Sequence, residues 1–228
     1  MNRPVELRSP QQGWLKVLRL AYPFLREQSL GDLTVFGSQA MSVFMKTGLR
    51  SKDLDFVSAQ MGPKHQDNLG KLLSGTPGIE VRSRTVQTKS LPKGEMKIYS
   101  IELRLEERPL IIEIFDKVLD GRPISLLAPH LQQVKKWGLS LWVPSPNAIV
   151  ALRLAFRRPE GISRLNGARL NLFIRENRRR LDFKEVRSIV QQWGMGEVVE
   201  ANLEDLRKKH RMRILYGEDI LARIRSGS

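Results

Sequence analysis

The 228-residue chain contains no cysteine, so disulfides and thiolate metal sites are excluded. Histidine is nearly as scarce. His65, His130 and His210 stand far apart without ligand spacing, which argues against a zinc centre. No apolar run approaches the ~18 residues of a membrane span, and the opening MNRPVELRSPQQGW lacks the apolar stretch of a secretory signal. The expectation is a cytoplasmic protein with no membrane partner. Internal repeats and low-complexity segments are absent as well. Acidic side chains are in short supply, 24 Asp and Glu against 39 Lys and Arg, for a formal net charge of +15 and a pI near 10.5.

What is present is ordinary for a globular protein: 41% hydrophobic and 28% charged residues, too apolar for a disordered chain. The length allows one sizeable core, or a core domain with a smaller helical one. The positive charge is uneven. Residues 1–120 hold 18 basic and 14 acidic side chains, whereas 121–228 hold 21 and 10. An excess of this kind suits a polyanionic partner, with RNA the first candidate.

Apolar positions Trp14, Leu15, Val17, Leu18, Ala21, Phe24 and Leu25 predict a helix over residues 11–28, with Pro23 as a kink. A strand over 33–36 follows, then a helix over 39–47 closed by Gly48, and a helix over 64–73. Residues 79–88 are weakly strand-like. Alternation from Tyr99 to Leu105 predicts a half-buried strand, and LIIEIF (110–115) a further one. From Gly121 onward the pattern is helical. Ser125 is expected to cap a helix running to Trp137, with an extended connector over 138–143. Ser145-Pro146 opens a helix to Phe156, and Asp182 opens another. Leu203, Leu206, His210 and Ile214 mark a long one, before a short one around 220–224. The natural division is 1–120 and 121–228.

The stretch VFGSQAMSVFMKTGLRSKDLDF (35–56) organises the first half. It predicts a strand ending in Gly37-Ser38, a helix, and a second strand carrying Asp53-Leu54-Asp55. Residues two apart on a strand share a face, so Asp53 and Asp55 point the same way. Converging carboxylates call for a hard cation such as Mg²⁺ between them. Gly37 and Ser38, at a strand-to-helix turn, offer N–H groups and a hydroxyl to a phosphate. The pair suggests a nucleoside triphosphate site with its metal. Glu113, flanked by Ile112 and Ile114, is costly to bury unless paired or metal-bound. It is the candidate third carboxylate, with Asp116 the competitor.

This arrangement resembles the nucleotidyltransferase superfamily, which shares the catalytic core of DNA polymerase beta. Gly37-Ser38, Asp53-Leu54-Asp55 and Ile112-Glu113-Ile114 match its pattern, and Gly48 to Phe56 (GLRSKDLDF) looks like a block of the AbiEii and MenT-type branch, which includes toxins of toxin–antitoxin pairs. The resemblance implies an α+β fold: a mixed-sheet nucleotidyltransferase domain over 1–120, followed by a basic helical domain over 121–228. It implies a metal-dependent enzyme that moves a nucleoside monophosphate from an NTP to a hydroxyl, most readily an RNA (tRNA) end. Asp53, Asp55 and Glu113 would be the catalytic and Mg²⁺- or Mn²⁺-binding acids. Gly37, Ser38 and one of Arg50 or Lys52 would serve the nucleotide. An antitoxin protein would be a further partner.

PNAIVALRLA (146–155) resembles a second block of the branch, with Arg153 in place of a triphosphate-binding lysine. Where the branch carries a Lys-Asp-x-x-Asp stretch, this chain has SRLNGARLNLF, with Asn166 and Asn171 and no acid. That departure keeps open a second reading, a catalytically degenerate module that binds RNA or protein. Two clusters carry the positive charge of the second half and are the candidate RNA contacts: Arg178, Arg179 and Arg180, and Arg207, Lys208, Lys209, Arg211 and Arg213. Base identity, acceptor, role and oligomeric state are not encoded in these motifs, and a protein hydroxyl or an aminoglycoside-like small molecule remains an alternative acceptor.

Overall fold

The computed structural model describes residues 13–105, 108–156, 161–210 and 220–227. The sequence-predicted contacts Arg211 and Arg213 lie outside the described residues, as does Ile214. Helix α1 (Gly13–Glu27) leads into β1 (Thr34–Val35), α2 (Gly37–Val43), β2 (Asp53–Val57) and α3 (Pro63–Ser74). A long hairpin follows, β3 (Ile79–Leu91) and β4 (Gly94–Leu105), and then β5 (Arg108–Phe115). These strands form one mixed sheet in the order β1-β2-β5-β4-β3. β2 and β5 run parallel and the other pairs antiparallel.

Alternation divides the faces of this sheet. Leu54 and Phe56 of β2 and Ile112 and Ile114 of β5 are buried against one core with Tyr99, Ile101 and Leu103. Trp14, Val17, Leu18, Ala21 and Leu25 of α1 and Leu69 and Leu73 of α3 close that side. Burying a side chain such as Phe56 contributes roughly 1.5–3 kcal/mol. The residues between them, Asp53, Asp55 and Glu113, therefore emerge on the other face.

Two sequence expectations are corrected here. Helix α2 ends at Val43, not at residue 47, so Gly48 is not its cap. The Ser42 hydroxyl accepts the Leu49 N–H at 2.9 Å, and the chain folds back toward β2 instead of adding a turn. The helix expected over 125–137 is replaced by a 3-10 helix (Ile124–His130) and a hairpin, β6 (Leu131–Lys136) with β7 (Leu139–Pro144). Pro129 has no N–H to continue a helix. Trp137 and Gly138 both take positive φ, 54° and 81°, the pattern of a two-residue hairpin turn. Leu141 and Val143 pack into the same core as α1, and Trp137 meets Trp14 edge-on at 5.2 Å. The Tyr22 hydroxyl accepts the Trp142 N–H at 2.9 Å, tying the hairpin to α1.

The remainder is helical: α4 (Pro146–Ala155), α5 (Arg164–Asn177), α6 (Phe183–Gln192), α7 (Gly196–His210) and α8 (Ile220–Ser226). Ser145 caps α4 by accepting the Ala148 N–H, and Asp182 caps α6 through the Lys184 and Glu185 N–H groups. Each such cap stabilises by about 1 kcal/mol. Ala148 to Ala155 of α4 sits at the centre of a second core, with Phe173, Val186 and Leu203 on one side. Ala40, Met41, Met45 and Val57 from the first half join it on the other. This shared core fixes α4 and α5 over the acidic face of the sheet.

Candidate functional site

Register brings the three acids together. Asp55 stands directly opposite Glu113 across the β2–β5 ladder, and Asp53 lies two positions away on the same face. They line a cavity of about 380 Å³ together with Gly37, Ser38, Phe115, Lys117, Leu152, Arg153, Asn166 and Arg169. That volume lies within the usual range of small-molecule sites. Gln39 is fully buried and its side-chain amide donates to the Asp53 carbonyl, bracing β2 against α2.

Gly37 starts α2 with φ 63°, a conformation that favours glycine. A Cβ there would come within 1.8 Å of Asp55 Oδ2. The bare glycine is what lets the carboxylate lie against the turn. Beside it, the Ser38 hydroxyl accepts hydrogen bonds from two guanidinium groups, Arg169 Nη1 at 3.1 Å and Arg153 Nη2 at 3.4 Å. Arg169 Nη2 donates to the Arg50 carbonyl, while Arg169 Nε is buried without a hydrogen-bond partner.

Electrostatics follow from this crowding. Burial, then the Asp53 charge, pushes the Asp55 carboxyl up to about 7, with Arg153 pulling the other way. Glu113 is raised for the same reasons, burial first and Asp53 second, with Lys89 opposing. Burial lowers the pKa of Arg169, and the charges of Asp53 and Asp55 act against that.

As placed, no three acidic or histidine groups among the described residues converge as a ready metal cage. Mg²⁺ seldom needs one. It is commonly held by one or two carboxylates together with substrate phosphates. Asp53 and Asp55 are suitable donors for it, with Glu113 beside them. The donor set fits the metal that the sequence implied.

Of the sequence-predicted residues, the cavity gathers Gly37, Ser38, Asp53, Asp55, Glu113 and Arg153. It does not gather Arg50 or Lys52, whose side chains are exposed outside it. Asp116 lies past the end of β5, where its carboxylate accepts the Lys97 N–H at 2.7 Å. Arg178, Arg179 and Arg180 are exposed at the end of α5, away from the cavity. Arg207 and Lys208 are each paired with Glu204 at 3.1 Å. Lys209 lies in α7, and its side chain is not described. Sequence reasoning missed Arg169. Its signal was its spacing, since Asn166 and Arg169 are three apart and share one face of α5.

No helix among the described residues is long and apolar enough to cross a membrane. No family model and no curated protein matches the sequence. Solved structures do match. JHP933 from Helicobacter pylori has 10% identity, with 92% of this chain and 87% of that one covered at a TM-score of 0.52. A second H. pylori chain, provisionally assigned as a nucleotidyltransferase, has 11% identity, with 93% and 90% covered at 0.52. The antibiotic-resistance factor ANT(2'')-Ia has 12% identity, with 88% and 98% covered at 0.50. The chain shares the mixed α/β fold of these structures.

Proposed function

We propose that the chain is a nucleotidyltransferase that moves a nucleoside monophosphate from an NTP to a hydroxyl of an RNA end. The observation that carries this reading is the placement of Asp53, Asp55 and Glu113 on adjacent positions of β2 and β5, facing Ser38 and two arginines across one cavity. The fold shared with the chains named above supports it.

In this reading Asp53 and Asp55 hold Mg²⁺ or Mn²⁺ with the triphosphate. Bound there, the ion would supply charge neutralisation for the triphosphate. Arg153, Arg169 and the Ser38 hydroxyl bind the β- and γ-phosphates. Their planar guanidinium groups are suited to that charge. Glu113 takes the proton of the attacking hydroxyl, and burial, which raises its pKa, makes it a stronger base than a free carboxylate. The hydroxyl oxygen forms a bond to the α-phosphorus. The bond from α-phosphorus to the bridging oxygen breaks, and pyrophosphate leaves with the electron pair.

The test is incubation with labelled NTPs, Mg²⁺ or Mn²⁺ and total RNA. Label on RNA from the wild type, lost in Asp55→Asn, supports the reading; equal label from both variants rejects it. A protein with no transfer and no nucleotide-dependent thermal stabilisation is instead the degenerate binding module, for which the acid-free SRLNGARLNLF stretch speaks.

A tRNA acceptor, a cytoplasmic place of work, and a toxin role with an antitoxin partner are the finer part of this proposal. The toxin role and its antitoxin rest on the resemblance of residues 48–56 and 146–155, and the RNA acceptor rests on the basic excess of residues 121–228. Growth arrest on expression that disappears in Asp55→Asn is the outcome that the toxin role requires.

A further inference from the structure

The β3–β4 hairpin continues the acidic face of the sheet beyond Glu113. Glu113 stands beside Ser100, and Ser100 beside Thr85. Farther along the strands, Phe115 stands beside Ile98, Ile98 beside Gln87, and Met96 beside Lys89. Cross-strand partners share a face, as do residues two apart. Thr85, Gln87 and Lys89 therefore lie on the face that bears Asp55 and Glu113. Residues 84–90 of β3 are all exposed, whereas Met96, Ile98 and Ser100, their β4 neighbours on this face, are buried. Met96 ties this extension to the site, since it lines the cavity itself.

The hairpin tip is held in place. The Lys93 N–H donates to the Asp120 carbonyl at 2.9 Å. Gly121 packs so closely on the tip that a Cβ would sit 2.5 Å from the Gly94 carbonyl oxygen. Lys117, a cavity residue, brings its ammonium to within 3.3 Å of where a Gly94 Cβ would lie. Lys117 lines the cavity, Lys89 acts electrostatically on Glu113, and Lys93 lies at the exposed tip; none of the three forms a salt bridge among the described residues. Two other cations of the hairpin are engaged, Arg82 with Glu80 at 2.9 Å and Arg84 with Asp67 at 3.0 Å, and Lys97 lies on the opposite face.

The two sides of the site differ in what they can hold. Ser38, Arg153 and Arg169 come from α2, α4 and α5, whereas Glu113 borders β4 and then β3. If phosphates of the NTP occupy the first side, a hydroxyl that reaches Glu113 enters from the second. We propose that the single-stranded end of the RNA acceptor lies along the exposed β3 side of this face, with its phosphates on Lys89, Lys93 and Lys117. This assignment rests on the transferase reading above. It moves the acceptor contact away from the C-terminal clusters, where Glu204 already engages Arg207, Lys208 and Arg225. A polyanion fits the hairpin better than a protein does. Lys89 and Lys93 are exposed on it with Lys117 beside its tip, and Val86, on its opposite face, is its sole exposed large apolar side chain.

The experiment titrates the full chain with a fluorescent single-stranded RNA at several salt concentrations. Lys89→Gln/Lys93→Gln should bind about tenfold more weakly at low salt and reduce the log–log salt slope by roughly 1.4, or 0.7 per lost phosphate contact. Arg207→Gln/Lys208→Gln should bind as the wild type does. The proposal is overturned if the hairpin variant keeps the wild-type slope, if only the α7 variant loses affinity, or if the wild type binds an acidic protein but no RNA. It is overturned too if the hairpin variant loses its thermal stabilisation by NTP and Mg²⁺, which would put these lysines in the nucleotide site. Wild-type RNA binding without any nucleotide transfer would instead reject the transferase reading and leave the RNA surface standing.

Discussion

The Asp55 carboxylate occupies the space in which a side chain on residue 37 would stand, with Oδ2 1.8 Å from the position of a Gly37 Cβ. Position 37 is also at φ 63°. Gly37→Ala therefore faces both a left-handed backbone and a collision with a strand residue. The expected loss of stability is about 2–3 kcal/mol, above the ~1 kcal/mol of backbone strain alone. Denaturant unfolding measures it. The variant should also lose its nucleotide-dependent rise in melting temperature, because Asp55 can no longer keep its place.

A milder comparison comes from the β6–β7 turn. Gly138 has φ 81°, and a Cβ there would find open space. Gly138→Ala should cost only the backbone strain, about 1 kcal/mol. Thermal melting should show a fall of a few degrees, with nucleotide stabilisation retained. A loss as large as that of Gly37→Ala would contradict the role given to the Asp55 contact.

Asp55 links stability to pH. Its carboxyl is raised to about 7 in the folded protein, against about 3.9 in an unfolded chain. Between these values the folded state binds more protons than the unfolded one, so stability contributed by this group falls as pH rises. Asp55→Asn should accordingly melt higher than the wild type at pH 8, and the gap should close toward pH 4. Melting curves across that window provide the check. Mg²⁺ should narrow the gap at pH 8 by stabilising the wild type alone.

Arg169 is expected to matter through its shape. One Nη donates to Ser38 and the other to the Arg50 carbonyl, a two-pronged grip that a lysine cannot reproduce. Arg169→Lys should retain most of the fold yet weaken NTP binding roughly tenfold, about 1.4 kcal/mol. Calorimetric titration with an NTP and Mg²⁺ distinguishes the cases. Wild-type affinity in the lysine variant would remove Arg169 from the nucleotide site.

Much of the site was legible from the chain because it is local. Gly37, Ser38, Asp53 and Asp55 lie within one strand–helix–strand run, and the two-residue period of β2 alone puts both aspartates on one face. The isolated acid in LIIEIF marked Glu113 in the same way, since a carboxylate among isoleucines needs a reason to be there. Caps such as Ser145 and Asp182 were readable too, being contacts of a side chain with N–H groups two or three residues on.

Other features were decided only when distant segments met. Register across β2 and β5 set Glu113, and not Asp116, opposite Asp55. Arg169 reaches Ser38 across 131 positions of sequence, a contact that depends on α5 packing against a core drawn from both halves. β6 was misread as helix, and β7 was read only as an extended connector, because a short apolar stretch has no secure period of its own; packing against α1 decided the hairpin. Charge is a related case. Arg207 and Lys208 stand out in a linear string and Glu204 partners both on the folded surface, while the place of Lys117 on the cavity rim shows only in the folded chain. Local spacing determines which chemistry a strand can carry, and long-range packing determines which charges that chemistry meets.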